Sequence, residues 1–577
     1  MRLSVIQSVV FSFLGLIVCG LIYMQLILGN YYHRQSTNNR IRIVPIEGPR
    51  GRILDRNGVV LADNRMTFEV GVVPQEVADK KALFNYLAQV LNRDPDALEQ
   101  NFEHKRLAPF APVILAQDID RELAVKIEEA KLLYPGLIVQ QGYVRYYPFI
   151  QSGAHVLGYV GKIDQEELED NQQYGYRPLS FVGKTGVEKK YDMYLQGIPG
   201  GRQVEVDSRG TQVRLLGLKD PLAGHDVTLT IDQRIQNAAQ ELLANQKGSL
   251  VVMDLSNGDL IALASSPSYD PNAFSDRSKN QVLSSYFNDP LSPLLNRTVS
   301  GLYPPGSVFK IPVALAAIQL HKITPSTTFE CPGYMMVGKR RFGCSHVHGV
   351  QDLQAAIAHS CNVYFFHVGL LVRPHVIGAF AKAFGLARPT GVDLPFEAKG
   401  KIVTGSSKDI SWYTGDILNL SIGQGYTLVT PLQLTVMMGA VANNGIILRP
   451  RVVSRVDDEQ IPVMDLSKRP LIRLRDDTWS VVQEGLKLVV QDQQGTGHDL
   501  SSVHGLDIFG KTGTAQSVRG KPNHAWFVGY ARPSNEPPSG KLSGIVFCIF
   551  LENGGSSENS VRIARDLLLK LQSLQMI

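Results

Sequence analysis

The sequence predicts an α+β protein carried on one membrane-spanning helix, and three observations predict it. An uncharged, apolar run fills the N-terminus from Leu3 to His33. Strand-like segments lie at the two ends of the second half, near 248–264 and 506–551, with apolar helical stripes between them. A sheet made from both ends of a domain, with helices packed on it, is an α+β arrangement. Finally, Ser307-Val308-Phe309-Lys310, Ser360-Cys361-Asn362 and Lys511-Thr512-Gly513 follow one another inside that same half.

The apolar run comes first. A helix crosses ~30 Å of hydrocarbon with ~20 residues at ~1.5 Å each, and Val5 to Leu28 supplies them. The run is too long for a signal-peptide core, and no small-x-small cleavage site precedes Tyr31-Tyr32. Residues 1–35 therefore read as an uncleaved anchor. Arg2 lies on one side and Arg34, Arg40 and Arg42 on the other, so charge leaves the orientation open. Leu16-Ile17-Val18-Cys19 faintly resembles a lipoprotein box, but Val18 is too large and the apolar run continues past it. Cys19 reads as a membrane-facing thiol.

At 577 residues the chain has room for more than one domain beyond the anchor. A net charge of +5 without a polybasic run argues against a nucleic-acid partner. Residues 36–235 look like a mixed region of strands and short helices with no catalytic constellation. Asn57-Gly58 between apolar runs predicts a hairpin, and Phe68 to Val73 alternates like a strand. Ile119, Leu123 and Ile127 fall four apart among charged neighbours, which predicts an amphipathic helix.

The second domain is expected over 245–577, following a helix that carries Ile235, Ala239 and Leu242-Leu243. Gly248 to Asp254 and Leu260 to Ala264, separated by Asn257-Gly258, predict a hairpin of buried strands. Trp526 to Ala531 and Leu542 to Leu551 predict further strands, and Val561 to Leu571 a closing helix.

Ser307 follows Pro304-Pro305-Gly306 and precedes the helical run Ile311 to Ile318. That places its hydroxyl at a helix N-terminus, where free N–H groups favour developing negative charge. Lys310 lies one turn on, so the two side chains share a face. A lysine made neutral by burial or by a second cation takes a serine proton. Ser360 would relay protons and Asn362 would hold substrate. Lys511 offers the second cation, and Gly513 lets a strand edge approach an extended peptide. The plain alternative is a serine that only caps a helix. Lys-Thr-Gly also occurs at Lys184-Thr185-Gly186, but before the serine and in a turn entering a helix; Ser278 and Ser557 begin out-of-order copies of the Ser-x-Asn motif.

Cys331, Cys344, His348 and Cys361 are separated by twelve, three and twelve residues. Cys₃His is a structural zinc set. His346 is a less well placed ligand, and a Cys331–Cys344 disulfide or buried thiols are the other readings.

These motifs, in this order, resemble the penicillin-binding protein and serine β-lactamase superfamily. Arg50 to Gly58, Arg145-Tyr146-Tyr147-Pro148 and Gly183 to Tyr191 resemble the non-catalytic pedestal (dimerisation-like) module of class B penicillin-binding proteins. Tyr303 to Lys310, Ser360 to Phe366 and Gly423-Gln424-Gly425-Tyr426 are similar to the elongation (penicillin-binding protein 2) subfamily, with the septal subfamily as rival. The chain departs from the pattern at Val308, where Thr is commoner, and at Asn362, often Asp. The resemblance implies a transpeptidase-like antiparallel sheet flanked by helices, an elongated pedestal, and a single-pass location in the inner membrane with a periplasmic catalytic domain. It implies that Ser307 attacks the D-Ala–D-Ala bond of a peptidoglycan stem peptide and that β-lactams acylate the same serine. Lys310 would be general base, with Ser360 and Lys511 assisting proton transfer. Asn362 and Thr512 would bind substrate, and Ser307 and Thr514 N–H groups would form the oxyanion hole, worth roughly 3–4 kcal/mol per donor. Some relatives carry a zinc here, built partly from aspartates, and Cys331-Pro332-Gly333 and Val347-His348-Gly349 match that pattern, so structural zinc is expected and no organic cofactor. Implied partners are a multi-spanning glycan polymerase and elongation scaffold proteins. A D,D-carboxypeptidase, a penicillinase or a β-lactam sensor would use the same serine.

Overall fold

The computed structural model describes residues 2–32, 41–106, 112–171, 176, 180–206, 212–275, 279–403, 412–462, 471–518, 520–535 and 543–577. Arg34, Arg40 and Leu542 lie outside them. The chain forms two compact units drawn from alternating stretches. One holds Met1–Gly51, Asn64–Val144 and Gln196–Gly224; the other holds Arg52–Asp63, Arg145–Leu195 and His225–Ile577.

In the first unit the apolar N-terminus is helical over Arg2–Ile22 and continues as a π-helical turn over Tyr23–Ile27. Its 22-residue segment Ile6–Ile27 has a mean hydropathy of 2.3 and no buried residue, long and apolar enough to cross a membrane. Strands Ile41–Ile46, Gly200–Val206 and Gln212–Lys219 then form an antiparallel sheet. A separate core gathers Val70, Val72, Leu83, Phe84, Leu87, Phe102, Leu115 and Ile127. Its helices start where short acidic side chains cap them: Asp79, Asp94 and Asp120 each accept the backbone N–H of the residue three positions on. The last of these corrects the expected helix at 119–127. Ile119 ends the strand Val113–Ile119, and the helix runs Arg121–Glu129. Asp118 sits at φ +59° and Asp120 caps the helix, so the chain turns between two apolar residues that share a helical spacing by coincidence.

In the second unit Asn57-Gly58 makes the expected hairpin, with Gly58 at φ +85° and Ile53–Leu54 paired to the start of Val60–Val72. The main sheet has the order Leu260–Ser266, Gly248–Asp254, Ile545–Leu551, His524–Pro533, Leu506–Ala515, antiparallel throughout. Every residue of the first three strands is buried. That is why they read as unbroken apolar runs: both faces of the sheet are covered. Helices Gln233–Leu242 and Ser557–Ser573 cover one face through Ile235, Ala239, Ala564, Leu567 and Leu568. On the other, Val251, Met253, Val546 and Phe550 join a core with helices Lys310–Gln319, Asn362–Val372 and Pro431–Ala442. Leu506–Ala515 is the edge strand, and its free side faces the start of the Lys310 helix.

Candidate active site

Pro304-Pro305 delivers the chain to Gly306, which sits at φ +55° and opens a 3₁₀ turn, Gly306–Phe309, that runs into the helix Lys310–Gln319. Ser307 is therefore at the helix start, half-buried. Two hydrogen bonds fix this turn. Gly306 N–H donates to Gly423 O at 3.0 Å, and Trp526 Nε1 donates to Pro304 O at 3.1 Å. A Cβ on Gly306 would lie 2.8 Å from Thr514 O, and one on Gly513 would lie 3.0 Å from Pro305 O. The two glycines thus let the serine turn and the edge strand meet backbone to backbone. Gln424 Nε2 reaches Thr514 O at 3.5 Å. In an extended strand the N–H and C=O of one residue point to the same side, so the Thr514 N–H also faces the serine turn.

Lys310 is 1% exposed, on a helix buried from Lys310 to Ile318. Its Nζ donates to Ser360 O at 2.6 Å and Asn362 Oδ1 at 2.8 Å, with Ser360 Oγ at 3.3 Å. The Phe365 ring lies 5.4 Å away. Burial pushes the amine down to about 8, against a weaker upward pull from the thiols of Cys344, Cys361 and Cys331. Lys511 is fully buried in the edge strand. Burial and the Lys310 charge hold it well below the ordinary lysine range.

The second motif sits between two helices. Leu353–Ala358 ends, Ser360 turns the chain at φ +56°, and Asn362–Val372 begins with Cys361 as its cap. Cys361 Sγ accepts the Tyr364 N–H at 3.5 Å. Asn362 is held from three sides: Nδ2 donates to Gly343 O at 3.2 Å, N–H donates to Cys344 Sγ at 3.1 Å, and Oδ1 accepts from Lys310.

Behind it, among the described residues, Cys331, Cys344, His348 and Cys361 bring one donor atom each within 4.8 Å of one another. Cys331 pairs with Gly349 across two short strands, and Cys344 follows the hairpin Tyr334–Val337/Arg340–Gly343. His348 Nδ1 is 3.5 Å from Cys331 Sγ and from Cys344 Sγ. Zinc–sulfur bonds of ~2.3 Å and a zinc–nitrogen bond of ~2.0 Å at tetrahedral angles give an S···N edge of ~3.5 Å. The donor set and its two S···N edges fit that ion. A hydrogen bond from Cys361, N–H groups of Val363 and Asn362 and the Lys310 charge push the Cys344 thiol down; the same hydrogen bond and burial push Cys361 up. The thiols are unbridged, and it is His348 Nδ1 that faces the sulfurs, whereas His346 offers its carbonyl to Cys331.

The structure thus gathers Ser307, Lys310, Ser360, Asn362, Lys511, Thr512, Gly513 and Thr514 around one cleft edge. The Lys184-Thr185-Gly186 copy sits apart, with Lys184 paired to Asp164 and Glu167 and Gly186 opening the helix Gly186–Lys190. Sequence reasoning missed the buttresses: Trp526 on Pro304, Gln424 on Thr514, and Thr496, whose Oγ1 lies 2.6 Å from Thr512 Oγ1. Two of them had a local signal: Gln424 lies in the Gly423-Gln424-Gly425-Tyr426 motif, read above only as a family resemblance, and Thr496 in the Gly495-Thr496-Gly497 turn.

Residues 248–568 match the model of the penicillin binding protein transpeptidase domain. The chain belongs to this family. Residues 45–229 match a second family model, the penicillin-binding protein dimerisation domain. The two modules together, in this order, are those of a class B penicillin-binding protein. Peptidoglycan D,D-transpeptidase MrdA of Haemophilus influenzae is 31% identical over 96% of this chain and 89% of its own length. Penicillin-binding protein 2 of Helicobacter pylori, solved in complex with MreC, superposes with a TM-score of 0.80 at 27% identity, covering 92% of this chain and 99% of that one. A chain of a peptidoglycan synthase complex, described for its coordination of polymerization and crosslinking, gives 0.72 at 28% identity over 98% of both chains.

Proposed function

We propose that this chain is an elongation-type peptidoglycan D,D-transpeptidase that works through a Ser307 acyl-enzyme. One observation carries the reading: Lys310, one turn after Ser307, is fully buried, pushed down to about 8, and hydrogen-bonded to both polar residues of the second motif.

Ser307 Oγ attacks the carbonyl carbon of the penultimate D-Ala while its proton passes to the neutral Lys310 amine. The oxyanion develops between the N–H groups of Ser307, at the helix start, and Thr514, on the free side of the edge strand. The tetrahedral adduct collapses, the C–N bond breaks, and terminal D-Ala leaves as the amine with a proton returned through Ser360. The amine of a neighbouring stem peptide then attacks the ester, gives up its proton by the reverse path, and releases Ser307. Asn362 and Thr512 bind the donor peptide, and Gly513 lets it lie along the edge. Lys511, itself held down by burial and by the Lys310 charge, is the second buried amine of the site. β-Lactams acylate Ser307 by the same attack.

Cys331, Cys344, His348 and Cys361 hold a structural zinc in this reading. Bound there, zinc would keep the thiolates charged and clamp the turn that carries Ser360 and Asn362. The N-terminal helix is a single-pass anchor in the cytoplasmic membrane, with the catalytic unit on the outer, periplasmic side where peptidoglycan is made. The relatives solved with MreC and within a peptidoglycan synthase complex support elongation scaffold proteins and a glycan polymerase as partners.

The test is intact-mass analysis of the detergent-solubilised full chain after incubation with a labelled penicillin. One stable adduct, absent from Ser307→Ala, is expected. A folded wild-type chain that takes no label leaves Ser307 as a helix cap and removes the proposal.

A further inference from the structure

Thr496 belongs to none of the three motifs, yet it links two of them. It sits on the turn between the helix Asp476–Gln491 and the 3₁₀ segment His498–Ser502. That turn is tightly built: Gly497 N–H donates to Val489 O at 2.9 Å, and a Cβ on Gly495 would lie 2.4 Å from the same oxygen. Thr496 N–H and Oγ1 both donate to Ala358 O, at 3.2 and 3.3 Å, two residues before Ser360. Thr512 Oγ1, on a residue only 3% exposed, lies 2.6 Å from Thr496 Oγ1.

The geometry points to Thr496 as a positioning residue that turns the Thr512 hydroxyl toward the terminal carboxylate of the donor peptide or β-lactam. The inference rests on the proposed reading that Thr512 contacts that ligand. Two touching hydroxyls share one proton between them. With the Thr496 proton on Ala358 O, Thr512 must be the donor to Thr496, and its proton points away from the ligand. A carboxylate takes that proton instead, because hydrogen bonds to charged acceptors are the stronger ones. Thr496 Oγ1 then rotates its own proton onto Thr512, and Ala358 O keeps the Thr496 N–H. No buried group is left unpaired in either state, so the switch avoids the cost of an unmade hydrogen bond. The receiving Thr512 oxygen is polarised by its new donor and held in place by it.

The experiment compares second-order acylation rates of the full chain in detergent with benzylpenicillin and with its methyl ester, which lacks the anionic carboxylate. Wild type should prefer the acid. Thr496→Val, which keeps the shape and loses the hydroxyl, should slow the acid about tenfold and the ester by less than about twofold. Thr496→Ser should restore the acid rate. An unchanged acid-to-ester ratio in Thr496→Val overturns the inference, as does equal slowing of both probes, the mark of a packing defect. Failure of Thr496→Ser to restore the ratio overturns it too. Wild type that reacts with both probes alike removes the carboxylate reading of Thr512, and with it this role. Wild type that reacts with neither removes the Ser307 reading itself.

Discussion

On the proposed reading of Lys310 as the base for Ser307, its buried amine sets the pH dependence of acylation. Its ordinary value is 10.5, and burial pushes it to about 8. At pH 7 the neutral fraction is then about one in ten, against about three in ten thousand for an ordinary lysine. Burial thus supplies a gain of about 300-fold in working base at neutral pH. Because the neutral form takes the Ser307 proton, the acylation rate should rise about tenfold from pH 7 to 9 and level off above. Rapid-quench labelling with a fluorescent penicillin between pH 6.5 and 9.5 measures it. The same shift has a stability signature. The unfolded chain binds more protons than the folded one between about 8 and 10.5, so stability gains with rising pH across that window. The penalty is fully present below 8. Relative to Lys310→Met, which has no amine, wild type should gain about 3 kcal/mol over the window, read as melting curves at paired pH values. A flat or falling rate profile through pH 8 refutes the assignment of Lys310 as base. A constant wild-type-to-Met stability gap refutes its depressed value.

Gly306→Ala forces a Cβ to 2.8 Å from Thr514 O at φ +55°; the strain of about 1–2 kcal/mol should lower the melting temperature, and acylation should fall at least about tenfold as the oxyanion donors separate. Glu552→Gln leaves the fully buried Arg297, whose Nε lies 3.0 Å from Glu552 Oε2, without its counter-charge; denaturant unfolding should show a loss of about 3 kcal/mol. Protein purified without chelators should carry about one zinc per chain by elemental analysis. Cys344→Ala should lose the metal, and acylation should fall because the Asn362 N–H loses its sulfur acceptor. Glu188→Ala removes the carboxylate on Arg145 Nε at 2.6 Å, in a pair 1% and 0% exposed, and a destabilisation of about 3–5 kcal/mol is expected by thermal melting.

What the sequence made legible follows from how local each signal is. Strands buried on both faces print as unbroken apolar runs, so Gly248–Asp254 and Ile545–Leu551 were visible without any partner. Asn57-Gly58 announced its turn because Gly58 takes a left-handed φ of +85° that few other residues tolerate. Ile119 misled because a strand end and a helix start placed apolar residues four apart. The serine site was legible as a set of motifs but not as a machine. Nothing local states that Lys310 finds Ser360 and Asn362, fifty and fifty-two residues away. Thr496, sixteen residues from Thr512 and 138 from Ala358, is invisible until the chain has folded. The alternation of the two compact units along the chain is of the same kind, since it depends on which distant segments pack together.

Several costs of this fold meet in one place. Two fully buried lysines, a serine at φ +56° and three cysteines packed with a histidine all fall within the serine cleft and the turn behind it. Each feature alone opposes folding: burial of an amine, a left-handed residue other than glycine, thiols held against one another. Yet they are mutually dependent. Ser360 O can meet Lys310 Nζ at 2.6 Å because the chain turns left-handed there, and the turn is held because Cys361 caps the next helix while Cys344 takes the Asn362 N–H. Replacing any one of them with a better-folding residue should therefore stabilise the protein less than its own cost suggests, since the partners it supported are left strained or unpaired. The coupling sits at the level of the turn, where one short stretch, Ser360-Cys361-Asn362, answers at once to the buried Lys310 amine, to the cysteine cluster and to the helix it starts.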